Sequence, residues 1–112
     1  FDGFILSLAE HNGSYAAAFK NIYDWSSRIN SKVFRDKPLL LMATSPGPRG
    51  GLSVLEAGAD RFSRMGANEV ITFSLPSFQD NFKEGKLVNE SLFLSLKEKI
   101  SHFELNYSLL LL

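Results

Sequence analysis

The sequence predicts an α/β domain built on a parallel sheet. Three apolar segments with strand character alternate with three segments that have the apolar periodicity of helices. Alternation at this spacing is typical of parallel strands joined by right-handed crossovers. The first two apolar segments also lack a clean apolar–polar alternation, which indicates strands that are covered on both faces. At 112 residues, the chain forms one domain or part of one.

Composition narrows the class of protein. Apolar residues make up 45% of the chain and charged residues 21%, which is ordinary for a soluble globular domain. Twelve basic residues balance 12 acidic ones, so no basic excess favours nucleic acid or an anionic membrane as a partner. Cysteine is absent, which excludes disulfides and thiolate metal sites and suits the cytoplasm. No apolar run reaches the roughly 18 residues of a membrane span.

The first strand and helix enclose a short polar loop. Residues 1–8 are expected to form a strand buried on both faces, and the chain begins in it without Met or a basic segment, so we expect it to start inside a domain. Ser14 is expected to cap a helix over residues 15–28. The predicted apolar stripe of this helix is Ala18, Phe19, Ile22, Trp25 and Ile29. Trp25 is therefore expected in the core.

The second strand, residues 39–44, follows a polar loop that ends at Pro38 and leads into the most irregular segment of the chain. Residues 45–51 contain two prolines and three glycines, which favour a fixed but non-repetitive backbone. A helix over residues 52–65 should follow. Its apolar stripe is Leu55, Ala59 and Phe62, and Gly66 is expected to end it.

The third strand is predicted over residues 69–75 and is followed by a longer loop, residues 76–86. Asn89 is expected to cap the final helix. The apolar stripe of that helix is Leu92, Leu96, Ile100, Phe103 and Tyr107. The apolar tail, residues 109–112, is too short to cross a bilayer and is interpreted as a packed end, a frayed end or an interface.

The exit loops of the first two strands should meet at one edge of the sheet. Parallel strands end at the same edge, and neighbouring strands lie about 5 Å apart. Glu10–Ser14 and Ser45–Gly51 are both rich in small residues, and both precede helices, so both can present backbone N–H groups. Flavin and nucleotide rings carry carbonyls and ring nitrogens that accept such bonds. The sequence therefore predicts a planar ligand between these two loops.

These residues resemble the NAD(P)H-dependent FMN reductase family. Glu10–Ser14, followed by Phe19-Lys20-Asn21 and Asp24-Trp25, is similar to the family's Pro-Glu-Tyr-Asn-Gly/His-Ser loop and Leu-Lys-Asn-Ala-x-Asp-Trp helix. Ser45-Pro46-Gly47 with Gly50-Gly51 resembles its second flavin loop, Ser-Pro-Gly-x-x-Gly-Gly. The likeness covers the chain to about residue 105. It implies a three-layer α/β/α flavodoxin-like parallel sheet, here without the first two strands and the first helix.

The resemblance also implies a cofactor site. Its predicted FMN-binding residues are Glu10, His11, Asn12, Gly13, Ser14, Ser45, Pro46, Gly47, Gly50 and Gly51. NADH or NADPH would reduce the flavin, and electrons would pass to a small-molecule acceptor: a quinone, an azo dye, a free flavin or a metal oxyanion. The flavin carries this chemistry, so no protein acid or base and no metal is required. Relatives suggest a homodimer or homotetramer, in which Phe78 and Phe82 either cover a neighbour's flavin or only anchor their loop.

The chain also departs from the family pattern. Ala9 replaces the usual Pro, and His11 replaces the usual Tyr. The family's phosphate loop, Gly-Ser-x-Arg-x-x-Ser, has no counterpart in these residues, so we expect weak FMN binding or none. A first strand left at the sheet edge should favour self-association through strand pairing. Two alternatives therefore stay open: an electron carrier like flavodoxin, and a truncated, non-catalytic domain that only self-associates.

Several polar residues have ordinary interpretations as well. His11 could act as an acid but is more typical of a surface or ring-packing residue. Glu10 could orient its loop, although exposed loop carboxylates usually have no measurable role. Arg49 could bind the NADPH phosphate or be solvated. His102 is expected at a solvated helix position.

Overall fold

A computed structural model describes residues 2–110 and confirms the predicted α/β fold. The central three-stranded sheet is parallel, with the order β1-β4-β5. In chain order the elements are β1 (Phe4–Leu8), β2 (Glu10–His11), β3 (Ser14–Tyr15), α1 (Ala17–Ile29), β4 (Lys37–Thr44), α2 (Leu52–Phe62), β5 (Ala67–Leu75), α3 (Phe78–Asn81), β6 (Phe82–Lys83), β7 (Lys86–Leu87) and α4 (Glu90–Leu110).

The central strand β4 is buried on both faces, as predicted. Leu39 and Leu41 contribute to one core, which includes Val54 and Phe62 of α2. Leu40 contributes to a second core on the opposite face, with Phe103 of α4 and Ile71 of β5. Because residues alternate between the faces of a strand, this division follows from the run of three leucines. Helices on both faces give the three layers that the sequence predicts.

An aromatic cluster around Phe62 fixes α1 against α2. The Phe62 side chain is fully buried, and its ring lies between 5.0 and 6.1 Å from four other rings. Those rings belong to Tyr15, Phe19, Tyr23 and Phe34. Tilted and edge-on ring pairs at these distances stabilise a core beyond their buried area. The cluster therefore sets which side of α1 faces inward.

The predicted apolar stripe of α1 is correct for Phe19 but wrong for its other large members. Phe19 and Tyr23 pack on the core, whereas Ile22, Trp25 and Ile29 are 67, 69 and 84% exposed. The reason is the hairpin that precedes the helix, because it places Tyr15 against Phe62. Phe19 and Tyr23 follow one and two helical turns after Tyr15, so they lie on the same side and face the core. The alternative stripe has helical spacing too, so periodicity could not choose between them.

Ser14 does not cap α1, contrary to the prediction. It pairs with His11 in the β2–β3 hairpin, and α1 begins at Ala17 after Ala16, which provides no side-chain cap. Asn12 and Gly13 both have positive φ, 52° and 76°. Two such residues form the turn that joins tightly paired antiparallel strands. The Asn-Gly pair is thus a hairpin turn.

Strand β1 is buried on one face only, so the prediction of two buried faces is wrong here. Leu8 is buried, whereas Ile5 is 64% exposed and Ser7 is also exposed. Ile5 and Ser7 pair with Leu40 and Met42, so they lie on the α4 face of the sheet. Helix α4 contacts β4 and β5, which leaves this part of β1 uncovered.

The C-terminal third matches the prediction in part. Asn89 caps α4, because its Oδ1 accepts the Leu92 N–H at 3.1 Å, and Phe103 of the predicted stripe is buried. The expected loop over residues 76–86 instead contains α3 and the β6–β7 hairpin. Helix α2 ends at Phe62, earlier than predicted, and a turn leads to Gly66 at φ 89°. The prediction that Tyr107 packs with the stripe concerns a side chain outside the described part of the structure. The same holds for the interpretation of the tail, residues 109–112.

Candidate functional site

The two predicted ligand loops share one edge of the sheet. We name residues 9–16 the first loop and residues 45–51 the second loop. The ends of β1 and β4 are in register, with Leu8 opposite Ala43. The two loops therefore start side by side, as the sequence predicts. Every residue of the predicted site belongs to one of them, but the structure divides these residues into open and supporting positions.

The tip of the first loop is open. Asn12 and Gly13 are exposed, and a Cβ added at Gly13 would meet nothing within 4 Å. Their backbone N–H groups donate to no partner among the described residues. His11 and Ser14 flank the tip and are also exposed. The edge of a ligand could therefore contact this part of the loop and accept hydrogen bonds from its backbone N–H groups.

Glu10 has a different environment, because it bonds to the helix that directly follows the other loop. Its Oε2 accepts the backbone N–H of Val54 at 2.9 Å. Val54 is buried in the first turn of α2, directly after the second loop. The carboxylate therefore joins the two loops within the protein.

Two glycines of the second loop are supporting positions. Gly50 and Gly51 are buried and have positive φ, 60° and 74°. A Cβ at Gly50 would overlap Ser74 Oγ and lie 2.8 Å from the Pro76 nitrogen. A Cβ at Gly51 would lie 2.9 Å from the Ala43 Cβ. These glycines thus allow the loop to pack against the strand ends.

The first half of the second loop is open again. A Cβ at Gly47 would meet only Ser45 Oγ, at 3.9 Å. The Gly47 carbonyl accepts bonds from Gly50 and Ser77, whereas its N–H donates to no partner in residues 2–110. Pro46 beside it is exposed. Gly47 therefore faces open space with a free donor, as Gly13 does.

A third segment supports the second loop, and the sequence reasoning missed it. The N–H of Ser77 donates to the Gly47 carbonyl at 2.8 Å, and that of Phe78 to the Ser45 carbonyl at 3.0 Å. Asn81 holds this segment, since its side chain donates to the Pro76 carbonyl at 2.8 Å. The available signal was positional: residues 76–78 follow β5, which ends at the same edge.

The remaining candidates are outside the open part of the site. The Arg49 guanidinium donates to Ser53 Oγ at 3.3 Å and is exposed. Phe78 and Phe82 stack on each other with centroids 5.2 Å apart, which fits the loop-anchor interpretation. His102 is exposed, as expected, but it contacts Glu69 Oε1 at 2.9 Å. No metal-binding cluster of His, Cys, Asp or Glu occurs in the described residues.

The edge therefore offers hydrogen-bond donors rather than acid–base chemistry. Its open positions present backbone N–H groups of Asn12, Gly13 and Gly47. Such groups can bind the carbonyls and ring nitrogens of a planar heterocycle without any change in protonation. The carboxyl ends of parallel strands are where open α/β proteins bind ligands.

Fold and site together define a flavodoxin-like α/β protein. Residues 1–80 match the family model described as NADPH-dependent FMN reductase. The match covers more than half of the chain, so the chain belongs to this family. The resemblance inferred from the two loop motifs is thereby confirmed.

A solved structure supports the fold. The chain is similar to FerB from Paracoccus denitrificans, described as a flavoenzyme NAD(P)H:(acceptor) oxidoreductase, with a TM-score of 0.72 and 21% identity. The alignment covers 96% of this chain and 61% of FerB. The chain thus spans less than two thirds of the length of that protein. A search among curated proteins gave no match. In residues 2–110, no helix has the length and apolar character to span a membrane.

Proposed function

We propose that this chain holds the isoalloxazine end of FMN in an NAD(P)H-dependent FMN reductase. Family membership supports a flavin ligand. The single observation that carries the proposal is the pair of open, donor-bearing glycines, Gly13 and Gly47, in two loops that start at the same edge of the sheet. Bound FMN would supply hydride acceptance from NADH or NADPH and electron delivery to a small acceptor.

The chain's residues then have distinct roles in binding. The N–H groups of Asn12, Gly13 and Gly47 would donate to the ring, and His11, Ser14 and Pro46 would border it. Ser45, Gly50 and Gly51 would keep the second loop in place through their packing and backbone bonds. Quinones, azo dyes, free flavins and metal oxyanions are the proposed acceptors.

The phosphate end of FMN fits these residues less well. Residues 1–112 contain no Gly-Ser-x-Arg-x-x-Ser motif, which cradles the phosphate in the family. The chain as given should therefore bind FMN weakly, through the ring alone. Lumiflavin, which has the ring without the phosphate, should bind about as tightly as FMN.

Titration of Gly47→Ala against the parent chain tests the proposal. Residue 47 has an unstrained φ and open space, so the added methyl should leave the fold intact but intrude on the ligand. We expect a loss of flavin affinity of about fivefold or more, as for other overpacked contacts. Ser101→Ala, at an exposed position of α4, is the control. Unchanged affinity in Gly47→Ala would place the flavin elsewhere.

Reduction kinetics separate the reductase from a carrier. If flavin-loaded protein is mixed with NADPH, a reductase loses absorbance near 450 nm in a single-turnover experiment. A flavodoxin-type carrier is not reduced directly, and a non-catalytic domain binds no added flavin in a titration.

Self-association is part of the same proposal, as a homodimer or homotetramer in the cytoplasm. The exposed apolar residues Ile22, Trp25 and Ile29 on α1 support it, together with the position of β1 as an outer strand of the central sheet. Sedimentation should show a concentration-dependent rise in mass. A monomer at high concentration would contradict this part.

A further inference from the structure

Helix α2 begins without a cap of its own. Its N-cap residue is Gly51, which has no side chain to accept a hydrogen bond. The first N–H groups of a helix have no partner within the helix and need acceptors from elsewhere. The Leu52 N–H finds one in the Arg49 carbonyl at 3.1 Å. The backbone N–H groups of the residues that follow Leu52 in the first turn need an acceptor from another part of the chain.

A side chain at the cap position is sterically excluded. A Cβ at residue 51 would lie 2.9 Å from the Ala43 Cβ and 3.3 Å from the Thr44 carbonyl oxygen. The φ of 74° is also unfavourable for residues with a side chain. The common capping residues, Ser, Thr, Asp and Asn, therefore cannot stand here, and a cap must come from another part of the chain.

Glu10 provides that acceptor from the first loop. Its Oε2 accepts the Val54 N–H at 2.9 Å, across a sequence separation of 44 residues. Val54 is the third residue of α2, the position whose N–H a local capping side chain would normally bind. A carboxylate at this end of a helix is also favoured by the helix dipole.

We propose that Glu10 is a positioning residue that caps α2 from the opposing loop and so fixes the spacing between the two loops that bind the flavin ring. This rests on the proposed function. It differs from the direct flavin contact that the family resemblance implies for Glu10. Because the carboxylate occupies the start of α2, that helix end is not a site for the FMN phosphate.

Three substitutions at residue 10 separate the cap from a charge effect. Glu10→Gln keeps an oxygen acceptor on a side chain of the same length, so most of the hydrogen bond to the Val54 N–H should be retained. Glu10→Asp keeps the charge but is one methylene shorter, and Glu10→Ala removes both. Glu56→Ala, at an exposed position of the same helix, is the matched control.

Hydrogen exchange at the Val54 amide is the first measurement. We expect exchange in Glu10→Ala to be faster by roughly 2- to 30-fold, the range that follows from typical cap energies. Glu10→Asp should behave like Glu10→Ala, whereas Glu10→Gln and Glu56→Ala should remain within less than about twofold of the parent. If Glu10→Ala fails to fold, the comparison of Glu10→Asp with Glu10→Gln gives the same answer. Equal exchange in these variants and the parent would overturn the proposal.

Flavin titration of the same variants tests the functional consequence. If Glu10 acts through loop spacing, affinity should fall in Glu10→Asp and be restored in Glu10→Gln. Loss of affinity in Glu10→Gln with normal Val54 exchange would show a direct, charge-dependent contact and contradict the positioning role. If the parent chain binds no flavin, the proposed function fails, whereas the exchange data still decide whether Glu10 caps α2.

Discussion

Gly50 and Ser74 lie so close together that neither position is independent of the other. Ser74 Oγ donates to the Gly50 carbonyl at 2.9 Å, and it lies in the space that a Cβ of residue 50 would need. Through this contact, the end of β5 supports the second loop. The conformation of a predicted ligand loop is thus set by a strand that contributes no residue to the predicted site.

Gly50→Ala should therefore be far more damaging than Gly13→Ala. Both positions have positive φ, which costs about 1–2 kcal/mol for alanine. At Gly50 the methyl also meets Ser74 and the backbone of Pro76, so we expect a total loss of about 3 kcal/mol or more. Urea unfolding of both variants measures the difference. Equal losses would mean that the contact with Ser74 relaxes easily.

Phe103→Ala should detach α4 from the sheet. Phe103 of α4 is buried in the core with Leu40 and Ile71. Its removal should cost about 3–5 kcal/mol, since a large aromatic side chain leaves a cavity. Leu105→Ala is the control, because Leu105 is exposed, and it should change stability by less than about 0.5 kcal/mol. Circular dichroism of the helix signal during urea unfolding distinguishes the two.

Tyr23→Phe should stabilise the protein. The Tyr23 hydroxyl is buried, and within the described residues no group meets it with good hydrogen-bond geometry, although Arg61 lies close enough to act on its pKa. A buried polar group without a partner is costly, so its removal should raise the free energy of unfolding by about 1 kcal/mol. Differential scanning calorimetry would record a higher Tm. A lower Tm would show that the hydroxyl makes a favourable interaction in solution.

The same residue predicts how stability depends on pH. Burial raises the pKa of Tyr23 and of Tyr15, and the opposing effect of nearby Arg61 is smaller in both cases. The unfolded chain therefore ionises first, near pH 10, and stability is lost as the pH rises from there through the higher folded-state pKa values. Tyr23→Phe should reduce this alkaline loss. An identical slope in the variant would contradict the role of Tyr23.

Trp25→Gln should leave the fold intact. Trp25 is mostly exposed on α1, so the change should alter the unfolding free energy by less than about 0.5 kcal/mol. Phe19→Ala, six residues earlier on the core side, should cost about 3 kcal/mol or more. If Trp25 lies in a contact between copies, Trp25→Gln should instead lower the sedimentation mass. A large loss in the unfolding free energy of the monomer would mean that Trp25 packs in the core after all.

The sequence by itself determined the fold class, the family and the two loops at one edge. Strand β4 is apolar at every position from Leu39 to Leu41, so only a fully covered central strand suits it. The loop motifs identified the family because their residue types and order are specific. The cap at Asn89 was predictable as well, because capping is a contact between residues three apart.

The tertiary structure decided which side chains face inward and which site residues support others. The side of α1 that packs depends on where the β2–β3 hairpin places Tyr15, and two stripes of similar spacing were compatible with the sequence. Glu10 and Val54 lie 44 residues apart, and Gly50 and Ser74 lie 24 apart. Contacts at such separations arise only when the strands between them pair in register, so local patterns carry no record of them.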